Sequence, residues 1–160
     1  MKCYFYGTNS TDNKDVRAAG IISFAIPDIG VVYRTKCKGD RIECEYMALF
    51  ALLEFLDSNS EAMTNQNLDL LGDSAVVVYQ LNGKMPIFSR LMKYYRRIEQ
   101  YRDKLKFKVS WTPTSLNRAA MSLPDLPPLN AKIEFDFSFA RKKLGKGSES
   151  MPPPDSPTLW

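Results

Sequence analysis

Residues 67–83 read NLDLLGDSAVVVYQLNG, and their character changes from strand to helix near the centre. The apolar run at the start of this stretch predicts a short strand, and Asp73 or Ser74 can cap the N-terminus of a helix over about 74–81. Asn82-Gly83 is a turn signal that ends this helix. The stretch therefore predicts a strand joined directly to a helix, as in α/β proteins.

Upstream of this stretch, the sequence predicts three strands and one helix. Segments rich in aromatic and β-branched residues predict strands over residues 2–7, 18–27 and 29–38. The turn signal Pro27-Asp28 lies between the last two strands and favours an antiparallel meander. From residue 44 to residue 56, apolar side chains recur at three- and four-residue spacing, which predicts an amphipathic helix.

Downstream, the sequence predicts a long helix and a last strand. Pro86 opens an amphipathic helix to about residue 105, whose inner face carries Phe88, Leu91, Met92, Tyr95 and Ile98. Residues 106–112 alternate and predict a strand, and residues 117–123 can form a last short helix. The element order β-β-β-α-β-α-α-β predicts an α/β fold with a mixed five-stranded sheet, in which three antiparallel strands precede two parallel ones.

Three motifs on these elements resemble the type-one ribonuclease H family. Residues 43–49, ECEYMAL, are similar to the family's Glu-Ala-Glu-Tyr-x-Ala-Leu at the start of its first helix. Residues 73–83 are similar to its Asp-Ser-x-x-Val-x-x-Gln-Leu-Asn-Gly, and residues 109–120 to its last strand and the following Pro-Arg-x-x-Asn-x-x-Ala-Asp. The resemblance implies an RNase H-like domain over residues 1–123, in which Trp111 is a core residue.

The remainder of the chain, residues 124–160, lies outside the resemblance. It is a Pro-rich C-terminal extension, since seven of the ten prolines follow residue 123. Residues 133–139, IEFDFSF, alternate strictly and can add an edge strand, whereas residues 141–160 have the composition of a disordered tail.

The resemblance also implies a carboxylate site for two divalent ions that cleaves the RNA strand of an RNA–DNA hybrid. Glu45 and Asp73 match two of the family's four carboxylates. Gly7 stands at the first-strand position and Met121 at that of the last helix, and neither residue can bind a hard cation such as Mg²⁺. Glu45 and Asp73 are therefore expected to be catalytic and metal-binding remnants, with no cofactor unless the protein is active with Mg²⁺ or Mn²⁺.

The net charge of +4 is unevenly distributed along the chain. Residues 41–83 contain one basic and seven acidic residues, whereas residues 84–108 contain nine basic and two acidic residues. A basic helix with interleaved tyrosines suits contact with phosphates and bases, although solvated helix faces explain the charges equally well. With Tyr94 as the exposed tyrosine and an RNA–DNA hybrid or duplex as the ligand, the predicted nucleic-acid-binding residues are Lys93, Tyr94, Arg96, Arg97 and Asn117.

Composition excludes several other classes of protein. The chain has no histidine, which removes Ser-His and Cys-His nucleophile pairs and most catalytic zinc sites. Cys3, Cys37 and Cys44 show no CxxC spacing and are expected to be free thiols in a reducing compartment. No stretch approaches the ~18 to 20 apolar residues of a membrane span. We therefore expect an intracellular, cytoplasmic protein with no membrane partner.

These observations predict a catalytically impaired RNase H-like domain that acts as a nucleic-acid-binding or assembly module. One alternative is an active metal-dependent ribonuclease H in which Asp12 or Asp15 of the first loop supplies a displaced carboxylate. The other alternative is a purely structural subunit of a larger complex, which meets a protein partner through the C-terminal extension.

Overall fold

A computed structural model of the chain describes residues 1–9, 19–63 and 65–121. The predicted C-terminal extension, with its edge strand and tail, lies outside the described residues. The same holds for Asp12 and Asp15 and for the domain boundary at residue 123.

The described residues form a five-stranded sheet in the order β3-β2-β1-β4-β5. The strands are β1 (Lys2–Asn9), β2 (Ala19–Ile26), β3 (Val31–Lys38), β4 (Leu68–Gly72) and β5 (Phe107–Trp111). Strands β1 to β3 are antiparallel, whereas β4 runs parallel to β1 and β5 parallel to β4, since each is reached through a helical crossover. The predicted mixed sheet is confirmed, and the C-terminal ends of β1 and β4 lie at the same end of it.

Three described α-helices accompany the sheet: α1 (Arg41–Ser58), α2 (Ala75–Leu81) and α3 (Met92–Lys104). Helix α1 begins after Asp40, whose carboxylate accepts a hydrogen bond from the Glu43 amide at 3.0 Å. Of the two caps predicted for α2, Ser74 is the one that accepts a hydrogen bond, from the Val77 amide. None of these helices is long and apolar enough to span a membrane.

Helix α1 is the centre of the hydrophobic core, because it is buried on nearly all sides. One side packs on β1 and β2, where the ring of Phe55 lies 5.5 Å from that of Phe24. Another side packs on α3, where the ring of Phe50 lies 5.9 Å from that of Tyr101. These contacts fix the start of α1 against the end of β1.

Two predictions for the region before α3 are wrong. The α-helix begins at Met92 rather than at Pro86, after a 3-10 turn over Ser89–Leu91. The carbonyl of Pro86, which the first turn of an earlier helix would use, instead accepts a hydrogen bond from the Gln80 side chain at 2.9 Å. Phe88, predicted to face inward, is consequently exposed.

The inner face of α3 is rotated relative to the prediction. Its buried residues are Tyr94, Ile98 and Tyr101, whereas Tyr95 is only partly buried. The hydroxyl of Tyr101 donates a hydrogen bond to the Glu54 carboxylate, so a tyrosine is buried on this face while its polar end is satisfied. The hydrophobic pattern alone does not distinguish which of two adjacent tyrosines faces the core.

The predicted helix over residues 117–123 is absent from its described part, which ends at Met121. A 3-10 turn over Thr114–Leu116 is followed by turns. The side-chain oxygen of Asn117 accepts a hydrogen bond from the Ala119 amide at 3.1 Å, and such local side-chain contacts compete with helix formation.

Candidate functional site

Glu45 and Asp73 lie together at one end of the sheet. Glu45 is in the first turns of α1, and Asp73 directly follows β4. Their carboxyl groups are close enough to interact, and the Gly7 amide of β1 also reaches Glu45. All four carboxyl oxygens are shielded from solvent, and within the described part of the chain none has a hydrogen-bond donor in ordinary geometry. The structure therefore brings the two predicted carboxylates together in a closed interior.

The pKa of Glu45 is raised well above its ordinary value. Burial is the largest cause, and the neighbouring carboxyl group of Asp73 adds to it. The Gly7 amide and the Arg41 guanidinium partly oppose the rise. Glu45 therefore favours its protonated form, in which its hydroxyl can donate a hydrogen bond to Asp73.

Gly7 lies at the position that the resemblance assigns to a carboxylate of the first strand. A Cβ atom on Gly7 would overlap the backbone carbonyl group of Cys44 and the backbone nitrogen of Glu45. These atoms belong to a helix whose position is fixed by the core, so they cannot rotate away as a side chain would. The close approach of β1 and α1 leaves no room for any side chain at this position.

The described residues do not fit a centre of two divalent ions. Such a centre needs several carboxylates around ions about 4 Å apart. The pair at the end of β1 and β4 offers only the carboxyl groups of Glu45 and Asp73, and the close backbone contact at Gly7 leaves no room for a third on β1. Met121 is exposed and offers only a thioether. Among the residues that the structure describes, no group of three Asp, Glu or Cys side chains could hold a metal ion.

Asn117 is a structural residue rather than a surface one. It is 0% exposed, and its side-chain amide donates a hydrogen bond to the backbone carbonyl of Phe5 at 3.0 Å. The next turn is fixed to β2, because the hydroxyl of Ser23 donates to the carbonyl of Ala119 at 3.0 Å. Asn117 thus has no surface for the predicted contact with nucleic acid, and its role is to fasten the end of the described chain to the central strands.

Tyr94 is likewise interior, so the prediction that it is an exposed stacking residue is wrong. It is 4% exposed and its ring lies 6.2 Å from that of Tyr46. The ammonium group of Lys93 lies 5.0 Å from the centre of the Tyr94 ring. The face of the Tyr94 ring therefore contacts the ammonium group of Lys93 and is not available for stacking on a base.

The other three predicted nucleic-acid-binding residues are exposed on α3. The guanidinium of Arg97 lies 3.9 Å from the Glu54 carboxylate, a distance at which an exposed pair contributes little. Neither Lys93 nor Arg96 forms an ion pair with a described residue. Spaced three residues apart, they lie on the same side of α3. We call Lys93, Arg96 and Arg97 the α3 basic surface.

Trp111 is a candidate binding residue that the sequence did not indicate. It is 52% exposed at the end of β5, and its indole nitrogen donates a hydrogen bond to the backbone carbonyl of Asp73 at 3.2 Å. The core position that the resemblance implied for Trp111 is wrong, although strand alternation places it on the same face as the buried Val109. Its partner in the sheet register is Gly72, the last residue of β4. The exposed ring therefore lies beside the backbone of Asp73.

Comparisons with known proteins agree with this architecture. A protein family described as "Reverse transcriptase-like" matches residues 5–125. No curated protein is significantly similar to the chain.

Several solved structures share the fold. The RNase H1 of the halophilic archaeon Halobacterium salinarum is 20% identical, with a TM-score of 0.60 over 76% of this chain and 92% of that one. LC11-RNase H1, isolated from compost and solved in complex with an RNA/DNA hybrid, is 15% identical, with a TM-score of 0.64 over 76% and 91%. The N-terminal RNase H domain of a Mycobacterium tuberculosis protein is 19% identical, with a TM-score of 0.54 over 73% and 86%.

Proposed function

Because the chain belongs to the reverse transcriptase-like, RNase H-like family, we propose that it binds nucleic acid but cleaves RNA poorly or not at all. The observation that carries the proposal is the space at Gly7, which is filled by the backbone of Cys44 and Glu45. A two-ion hydrolytic site requires a carboxylate there, according to the resemblance stated above, and this chain has no room for one.

Binding is proposed at the α3 basic surface. Lys93 and Arg96 are exposed and have no described acidic partner, so contact with phosphates breaks no existing ion pair. Arg97 adds a third cation whose present contact with Glu54 is long. A solved relative with the same fold holds an RNA/DNA hybrid, which supports an RNA–DNA hybrid or duplex as the ligand.

The retained pair of Glu45 and Asp73 favours one competing function. Their four buried carboxyl oxygens have no hydrogen-bond donor in ordinary geometry and would be metal ligands in an active metal-dependent ribonuclease H. In that case Asp12 or Asp15, which lie outside the described residues, would supply the missing carboxylate. The expected metals would then be Mg²⁺ or Mn²⁺.

Binding is tested with a labelled RNA–DNA hybrid and the full chain, by fluorescence anisotropy over a series of salt concentrations. We expect the double variant Lys93→Ala/Arg96→Ala to bind more weakly and to lower the salt slope by about 2, since each lost phosphate contact removes about 0.9. The matched control is Lys36→Ala/Lys38→Ala, which removes two exposed lysines from β3. Equal losses of affinity in the two double variants would show that the hybrid does not bind specifically at the α3 basic surface.

Cleavage is tested on the same hybrid in Mg²⁺ and then in Mn²⁺, with Asp73→Asn as the contamination control. We expect no turnover that depends on Asp73. Turnover that disappears in the Asp73→Asn variant would establish the active ribonuclease instead. A chain that neither binds nor cleaves would fit the structural subunit, whose protein partner at the C-terminal extension stays a prediction.

A further inference from the structure

Two of the three free cysteines meet in the interior. Cys37 is in β3 and Cys44 is in the first turn of α1, and their sulfur atoms are 3.0 Å apart. A disulfide bond is about 2.05 Å long, so the two sulfurs need to move together by only about 1 Å to be bonded. Cys3, in β1, takes no part in this contact.

A glycine makes room for this pair. Gly20 of β2 lies directly opposite Cys37 in the register of β2 and β3. A Cβ atom at Gly20 would lie 2.7 Å from the sulfur of Cys44 and 3.0 Å from that of Cys37. Any other residue at position 20 would therefore crowd these sulfurs and the backbone carbonyl of Thr8. The absence of a side chain on β2 is what lets the two cysteines approach.

The backbone that joins the two cysteines is held in place. The carbonyl of Gly39 accepts a hydrogen bond from the side-chain amide of Asn9 at 3.0 Å and a weaker one from the thiol of Cys44 at 3.8 Å. Asp40 caps α1 on the far side of the same turn. The short sulfur–sulfur distance therefore belongs to a fixed turn between β3 and α1.

We propose that Cys37 and Cys44 are an oxidation site at which an intramolecular disulfide forms. The oxidant is a low-molecular-weight disulfide such as oxidised glutathione. The Cys37 thiolate attacks one sulfur of the oxidant and releases one thiol. The sulfur of Cys44 then attacks the Cys37 sulfur of the mixed disulfide and releases the second thiol. The protein loses two protons and two electrons, which together reduce the oxidant to two thiols.

The surroundings of the two cysteines assign their order of reaction. Both cysteines are buried, but Cys37 keeps 9% of its surface exposed on an edge strand of the described sheet, whereas Cys44 has none exposed. The hydrogen bond with Cys37 and burial raise the pKa of the Cys44 thiol. Cys37 is therefore the cysteine that meets the oxidant, and Cys44 keeps its proton until the mixed disulfide is in contact with it.

The bond would join β3 to the turn of α1 that also carries Glu45. Gly7 packs on the backbone of Cys44. The cross-link would therefore restrain the start of α1 where it contacts β1, next to Glu45. Formation of a ring from residue 37 to residue 44 restricts the unfolded chain, and we expect the oxidised protein to melt at a higher temperature than the reduced protein.

The test equilibrates the folded full chain in mixtures of reduced and oxidised glutathione, followed by alkylation of the remaining thiols. Trypsin separates the three cysteines, because cleavage after Lys2, Lys14, Lys36, Lys38, Arg41 and Lys84 leaves them on peptides 3–14, 37–38 and 42–84. We expect mass spectrometry to find peptide 37–38 joined to peptide 42–84, with Cys3 alkylated. A thiol reductant should reverse the bond.

Two comparisons test whether the fold, rather than the short distance between the cysteines in the sequence, favours the disulfide. Cys3→Ser should leave the cross-link intact, whereas Cys37→Ser and Cys44→Ser should each abolish it. The equilibrium constant for the disulfide should be at least about tenfold higher in the folded chain than in urea, because the folded chain holds the sulfurs together. An equal or lower constant in the folded chain, a bond to Cys3, or stable glutathione adducts without a cross-link would overturn the proposal.

Discussion

Gly7 packs directly on the backbone of Cys44, with no room for a Cβ atom between the central strand and the central helix. Both elements are buried, so neither can retreat without opening the core. The close backbone contact at Gly7 therefore explains why this position carries no carboxylate.

We therefore expect Gly7→Ala to lower the free energy of unfolding by about 2–3 kcal/mol, because the added methyl group overpacks the contact. Urea denaturation measures the change. Gly83→Ala is the matched control: position 83 has a positive φ of 72° but open space around it, so the cost there is conformational only, about 1 kcal/mol. A Gly7→Ala variant as stable as the Gly83→Ala variant would contradict the packing argument.

The carboxyl pair predicts a dependence of stability on pH. The folded pKa of Glu45 lies above its ordinary value of 4.5, so the folded protein binds a proton that the unfolded chain releases as pH rises past that value. The stability that this proton provides is present in acid and declines as pH rises towards the folded pKa. Glu45→Gln keeps a hydrogen-bond donor towards Asp73 and cannot ionise.

Glu45→Gln should therefore gain stability relative to the natural chain as pH rises above about 4.5, with the two converging in acid. Urea midpoints measured from pH 4 to pH 8 test this. The control is Glu61→Gln, at an exposed position, which should track the natural chain throughout. A constant difference across the range would show that Glu45 titrates normally.

Asn117 provides a test that separates structure from binding. Asn117→Ala removes the donor to the Phe5 carbonyl and the acceptor for the Ala119 amide, both in a buried region. We expect a loss of about 2–3 kcal/mol in the free energy of unfolding, and unchanged affinity for the hybrid per folded molecule. Arg118→Ala, at the exposed neighbour, should change stability by less than about 0.5 kcal/mol.

Trp111 should contribute to binding by stacking. On a hybrid with a single-stranded overhang, Trp111→Ala should weaken binding by about 1–3 kcal/mol while leaving the salt slope unchanged, since stacking releases no counterions. Phe88→Ala removes another exposed ring, in the segment before α3, and should have little effect. Equal losses in the two variants would point to non-specific apolar contact.

The order of the elements along the chain and the direction of the strands could be predicted from the sequence, since periodicity, turn signals and the three motifs all depend on local residues. The defect at Gly7 and the closeness of Glu45 to Asp73 followed from motif positions. The phase of α3 could not be predicted, because Tyr94 and Tyr95 have equal hydropathy and the choice depends on partners such as Tyr46 and Lys93 in other parts of the chain.

The positions of Trp111, Asn117 and the cysteine pair also depend on contacts with distant parts of the chain, so the sequence did not predict them. The resemblance implied a core position for Trp111, but it lies at the end of β5 opposite Gly72, the last residue of β4, where its ring is exposed. The burial of Asn117 depends on a carbonyl at the other end of the chain. The distance between Cys37 and Cys44 depends on Gly20, in a third element.

The hydrogen bond from Asn117 to Phe5 spans 112 positions in the chain. During synthesis, the first strand emerges long before its parallel partner β4 and the turn that carries Asn117. Contacts of such high sequence separation are slow to form, because the intervening chain must first be ordered. We expect the nascent domain to complete its folding in one late step, after residue 117 has left the ribosome.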